Sequence, residues 1–194
     1  MTGAAIVLAG GQSRRMGVPK ATLLLDGKTL LRHAVDACAN FSPIVVVGPP
    51  ELASLLTDVP GCILTREEPP GGGPSVGLAA GLAALEENRA ETVQVLCCDL
   101  PRAGGLVAAL DGHDWAGCEA LVPVDSQCWP QYLSARYRLA ALRAAIPAES
   151  EARDQGVRRL LSGLHAKLVP LEEELVADVD DPQAASRAGV TLQS

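Results

Sequence analysis

Residues 4–20 read AAIVLAGGQSRRMGVPK. Ala4 to Ala9 form an unbroken apolar run, too short for an ordinary helix and right for a strand covered on both faces. The connection that follows gives up side chains at Gly10, Gly11 and Gly17 and gathers positive charge at Arg14, Arg15 and Lys20. Glycines let a ligand approach the backbone, whose exposed N–H groups bind phosphates or base edges. Arginine offers a planar fork for phosphate oxygens, and lysine a mobile point charge. Three cations within seven residues of a chain with net charge −7 favour an anionic ligand over solvated charges on a Gly-rich turn. The stretch has no G-K-[ST], so it is not a P-loop, and it does not fit G-x-G-x-x-G.

Outward from this stretch, strand and helix patterns alternate. Helical spacing predicts a helix over 29–39, then a buried strand at 43–48 and a short helix over ELASLL. Strands follow at 61–66 and 92–98, with helices over 75–89 and 103–111. EALVPV (119–124) and PQYLSARY (130–137) read as two further strands, followed by helices over 138–146 and 155–163. KLVPL and ELVADV are the last strand candidates, and PQAASRAG is a short capped helix. This alternation predicts an α/β fold with a mainly parallel sheet, as one domain over 1–194.

The totals exclude several classes of function. Apolar residues make up 48% of the chain, enough for a sizeable core, but aromatics only 3%. With few stacking platforms and a net negative charge, neither nucleic acid nor an anionic membrane is an expected partner. The N-terminus lacks a basic region, and no apolar run is long enough for a signal peptide or a membrane span. The expected location is the cytoplasm. The six cysteines form no C-x-x-C pair and read as buried free thiols, while His33, His113 and His165 show no metal-ligand spacing.

In open α/β sheets, ligands collect beyond the carboxyl ends of strands. Four unusual segments follow predicted strands: Gly10-Gly11, the Glu67-Glu68-Pro-Pro-Gly-Gly-Gly-Pro connection, Asp99-Leu-Pro, and Asp178-Val-Asp180-Asp181-Pro182. Asp99 reads equally as a magnesium ligand or a helix cap, since Mg²⁺ needs only one or two carboxylates beside phosphate oxygens. Asp178 and Asp180 share a face if the segment is a strand, and one of them completes a metal site. Asp181 before Pro182 suits a helix cap. Gly73-Pro74 at a helix start can turn N–H groups toward a ligand or simply end a loop. Arg158-Arg159 reads as a solvated helix face.

Taken together, L-A-G-G-x-S-x-R-M-G-x-x-K resembles the signature of the MobA-like nucleotidyltransferases, in particular their molybdenum cofactor guanylyltransferase branch. Gly73-Pro74-Ser75-Val76-Gly77 is similar to that family's G-P-L-A-G, Cys98-Asp99-Leu100-Pro101 to its C-D-x-P, and Asp178 to Pro182 to its [DN]-V-[DN]-x-P. Segments PQYLSARYR and GVRRLL also resemble parts of the family, so the likeness runs most of the chain. It implies a Rossmann-like three-layer fold of the nucleotide-diphospho-sugar transferase type, with a mainly parallel mixed sheet.

The resemblance also implies Mg²⁺-dependent transfer of GMP from GTP to molybdopterin, giving the guanine dinucleotide cofactor and pyrophosphate, with molybdenum enzymes as recipients. Carried over by position, Leu8, Ala9, Gly10 and Gly11 lie against the guanine, with Gly73 beside the nucleotide. Arg15 and Lys20 meet the triphosphate, Glu68 lies near the nucleoside, and Asp99 binds magnesium with Asp178 or Asp180, of which Asp180 is favoured. Ser75-Val76 in place of Leu-Ala, Gly48 where some members carry Asn, and Glu68 where Asp is usual bear on base identity. Two alternatives stay open: a related transferase using CTP or another phosphorylated acceptor, and a non-catalytic nucleotide-binding delivery protein.

Overall fold

β1 (Gly3–Leu8) is the axis from which the sheet grows in both directions. The computed structural model describes residues 3–11 and 17–191. To one side of β1 lie β4 (Ile44–Val47) and β5 (Cys62–Thr65), all parallel. To the other lie β6 (Thr92–Cys97), β8 (Arg136–Arg138), β7 (Ala120–Val124) and β9 (Ala166–Pro170). Only β8 runs against its neighbours; β6 is parallel to β1, and β9 to β7. A two-stranded hairpin, β2 (Leu24–Leu25) with β3 (Lys28–Thr29), stands apart from this sheet.

Because alternate strand residues face opposite ways, β1 supplies two cores. Ala5 and Val7 pack with α1 (Leu30–Ala37) and α3 (Ala103–Asp111), whereas Ala4 and Ile6 pack with α2 (Pro74–Ala83), α4 (Leu139–Ala145) and α6 (Val157–Leu161). Two covered faces explain the near-continuous apolar runs in the parallel strands. α2 is buried on every side from Ser75 to Leu82, so it carries no amphipathic stripe. It ends at Ala83, earlier than its predicted limit. α1 starts where Thr29 Oγ1 accepts the Arg32 N–H at 3.1 Å.

Two expectations fail. PQYLSARY is not one strand: a 3-10 turn occupies Tyr132–Ser134 and only Arg136–Arg138 pairs as β8. The Tyr137 hydroxyl donates to the Tyr132 carbonyl at 2.6 Å, which holds the segment bent. ELVADV is not a strand either. After Pro170 ends β9, α7 (Glu173–Val176) forms, its first turn acidic as the helix dipole favours. α7 packs on α3, where a Cβ at Gly105 would lie 2.7 Å from Leu175 Cδ2. A four-residue helix, α5 (Glu149–Ala152), precedes α6, and α8 (Pro182–Arg187) is capped by Asp181, which accepts the Ala184 N–H at 2.8 Å.

The connections from β1 lead toward β4 and β5, and the chain then returns to place β6 on the opposite flank. The carboxyl ends of β1 and β6 therefore flank the switch point of the sheet, where open α/β folds leave a crevice.

Candidate nucleotide and metal site

That crevice is a cavity of about 560 Å³. Leu8, Gly10 and Gly11 enter it from the end of β1, and Cys97, Cys98 and Asp99 from the end of β6. Gly71, Gly73 and Pro74 line it from the connection into α2. Gly73 has φ of +89°, a backbone setting that glycine adopts without strain, and it hands the chain to Pro74 at the first helical position. A side chain at Gly10 would put its Cβ in ordinary contact with the Glu67 carboxylate, 3.8 Å away, on the cavity wall.

Lys20 opens the short 3-10 turn Lys20–Thr22 just after Pro19, and its side chain also lines the cavity. Its ammonium donates to Asp99 Oδ2 at 2.8 Å and to Asp180 Oδ1. Burial alone would lower the lysine pKa, but the carboxylates of Asp99 and Asp180 outweigh it and raise the value above that of an ordinary lysine. The late acidic segment is brought here without being a strand: the Val179 N–H donates to the Asp99 carbonyl at 3.0 Å, and the Val179 side chain is buried.

Ligand oxygens of Asp99, Asp178 and Asp180 all lie within 4.8 Å of one another. Burial first, then the charges of Asp180 and Asp99, push the Asp178 carboxyl above its ordinary value. Asp99 Oδ1 is buried and has no hydrogen-bond partner among the described residues. A buried carboxylate oxygen without a donor is costly unless a cation meets it. The three carboxylates thus fit a hard divalent cation, which takes oxygen ligands and keeps places for water and phosphate.

Not every expected residue lines the cavity. Ala9 is buried beneath it, with its N–H bonded to the Val47 carbonyl at 2.8 Å. Glu68 is exposed, and its N–H donates to Glu149. Its neighbour Glu67 takes the inward position, buried, with Oε1 accepting the Gly71 N–H at 3.1 Å. No pattern in the sequence separates two adjacent glutamates, so only the fold distinguishes Glu67 from Glu68. Arg15, like Arg14, lies outside the described residues.

Two departures from the family pattern acquire local reasons. The Ser75 hydroxyl lies 2.9 and 2.8 Å from the carbonyls of Ala152 and Gln155, tying α2 to the α5 segment. At Gly48 a Cβ would lie 2.8 Å from Leu52 Cδ1 and 3.3 Å from the Ala9 backbone, so packing resists a side chain there.

The chain is similar to known proteins in sequence and in fold. The profile of the MobA-like NTP transferase domain matches residues 5–169. A probable molybdenum cofactor guanylyltransferase of Nostoc sp. is 42% identical over 101 residues, covering 50% of this chain and 46% of that protein. One from Synechococcus elongatus is 40% identical over 104 residues, 53% of each chain. The chain spans about half the length of the curated relatives it matches. The crystal structure of molybdopterin-guanine dinucleotide biosynthesis protein A from Archaeoglobus fulgidus superposes with a TM-score of 0.69 at 25% identity, covering 95% of this chain and 96% of that one. With more than half its length matched, the chain belongs to the MobA-like NTP transferase domain family.

Proposed function

We propose that this protein is a single-domain nucleotidyltransferase that moves GMP from GTP to molybdopterin, releasing pyrophosphate and forming the guanine dinucleotide cofactor. The observation that carries this reading is that Lys20 and Asp99 line one glycine-lined cavity, with the Lys20 ammonium also held by Asp180, which lies outside the lining. The names of the relatives supply the acceptor, and the carboxylates supply a seat for Mg²⁺.

In this reading the backbone of Leu8, Gly10 and Gly11 faces the guanine. Glu67 is placed to accept hydrogen bonds from the base or sugar, in the role the resemblance implied for Glu68. Lys20 holds the triphosphate, joined by Arg15, and Gly73 admits the nucleotide close to the start of α2. Asp99, Asp178 and Asp180 hold the metal, which when bound offsets charge on the phosphates. Molybdopterin carries a phosphate monoester, whose second pKa of about 6 leaves it largely ionised at neutral pH. No general base is needed. The residues instead align the attacking oxygen with the α-phosphorus and stabilise the departing pyrophosphate, the two demands of phosphoryl-type transfer.

Among the described residues no helix is long and apolar enough to cross a membrane. Work in the cytoplasm, delivery to molybdenum enzymes, and the absence of nucleic-acid and membrane partners belong to the same proposal. The test is turnover with GTP or CTP, with and without molybdopterin, in Mg²⁺. Pyrophosphate release that needs both GTP and molybdopterin supports the reading. A preference for CTP assigns a related transferase, and nucleotide binding without release assigns a delivery protein.

A further inference from the structure

Lys20 is held from one side and open to another. Its ammonium bonds Asp99 Oδ2 and Asp180 Oδ1, yet the same side chain lines the cavity that would take the phosphates. Those carboxylates are two of the three whose oxygens lie within 4.8 Å of one another. An ammonium and a divalent cation therefore call on the same carboxylates.

Charge decides which combinations are stable. The Lys20 side chain is only 14% exposed and that of Asp99 17%, so water screens their interactions weakly. A dication seated among the acids while Lys20 remains would set like charges side by side. Lys20 has few other places to go. Water reaches the site on the Asp180 side, where that carboxylate is 60% exposed, while on the Asp99 side the space the Lys20 side chain already borders is the cavity. A triphosphate there offers the ammonium a replacement anion. Asp99 Oδ1, without a partner among the described residues, offers the incoming ion a first ligand while Oδ2 still holds Lys20.

We propose that Lys20 is the resident counter-cation of Asp99 and Asp180, and that nucleotide phosphates, by drawing its ammonium into the cavity, open these carboxylates to a divalent cation. The inference rests on the nucleotide-and-metal reading above and adds an order to it: metal and nucleotide enter as mutually dependent ligands. Linkage then requires each to strengthen the binding of the other by the same factor.

The test is Mn²⁺ binding to the full chain without nucleotide, followed by electron paramagnetic resonance, in wild type, Lys20→Met and Lys20→Arg, each checked by thermal melting. Lys20→Met should bind Mn²⁺ at least about tenfold more tightly than wild type, because a neighbouring like charge has gone. Lys20→Arg, which keeps the charge, should stay as weak as wild type. In parallel, the Mn²⁺ enhancement of GTP affinity should shrink in Lys20→Met. If Lys20→Met does not fold, Lys20→Gln carries the same expectation. Mn²⁺ binding to the neutral variant that is no tighter than to wild type overturns the proposal. Asp99→Asn separates this from a failure of the underlying reading: unchanged Mn²⁺ enhancement of GTP binding in that variant removes the metal assignment itself.

Discussion

Lys20 Nζ donates to Asp99 Oδ2 at 2.8 Å across 79 positions of sequence, joining the glycine-rich connection after β1 to the acid that follows β6. The two partners are not equivalent. Lys20→Ala leaves Asp99 and Asp180 without their counter-charge and should destabilise the fold by about 1–3 kcal/mol. Asp99→Asn keeps the shape and relieves repulsion among the acids, so its stability should change by less than about 1 kcal/mol. Both should lower turnover by roughly 10²–10³-fold, as loss of a group that stabilises transition-state charge does. Denaturant unfolding and pyrophosphate release measure the two effects separately.

Glu67 and Glu68 provide an internal control. Glu67→Gln removes a charge that lines the cavity and should raise the KM for GTP by roughly ten- to a hundredfold, the cost of one hydrogen bond to a charged group. Glu68→Gln alters an exposed side chain and should leave KM within about twofold. Equal effects from the two variants would contradict the inward placement of Glu67.

Two glycine-to-alanine changes should move stability in opposite directions. At Gly81 a Cβ would lie 2.7 Å from Ile6 Cγ2 and 3.2 Å from Val47 Cγ2, so α2 must shift on the sheet at a cost of about 1–3 kcal/mol. At Gly104, exposed near the start of α3, nothing lies within 4 Å. Alanine there should stabilise by about 0.5–1 kcal/mol through helix propensity. Midpoints of denaturant unfolding report both.

The thiols predict a loss of stability at high pH. Burial pushes Cys38 up to about 12 from the ordinary value of 9.0, and raises Cys97 and Cys98 as well. Unfolding lets them ionise at ordinary values. The Cys38 contribution is therefore fully present below about pH 9 and lost as pH rises toward 12, by up to about 1.4 kcal/mol per unit, and Cys97 and Cys98 act in the same direction. Cys38→Ala should flatten that decline. In the native protein near pH 8, Cys128, which is exposed, should react first with a thiol reagent, and Cys128→Ser should abolish the fast phase.

Much of this site was legible in the sequence because backbone and charge wrote it there. The run Ala4–Ala9 reads as a doubly covered strand and falls in β1 up to Leu8, and the segments after β1, β5 and β6 fell at one edge of the sheet as the topology required. Asp181 capped its helix as Pro182 suggested. Less legible was what depends on tertiary partners. ELVADV has the length and apolar content of a short strand, but α3 offered its first half a helical seat at Gly105. Asp178 and Asp180 still reach Asp99, through the Val179 N–H to the Asp99 carbonyl and not through a strand face. Which of Glu67 and Glu68 points inward depended on the path from β5 to Gly71, and adjacent identical residues carry no such information.

Pyrophosphate released from GTP by the wild-type protein with Mg²⁺, measured in the presence and absence of molybdopterin, separates transfer from binding alone. Release is expected only when molybdopterin is present, matched mole for mole by guanine dinucleotide cofactor and lost in Asp99→Asn. Bound GTP with no release in the presence of molybdopterin, or release that persists in Asp99→Asn, would contradict it.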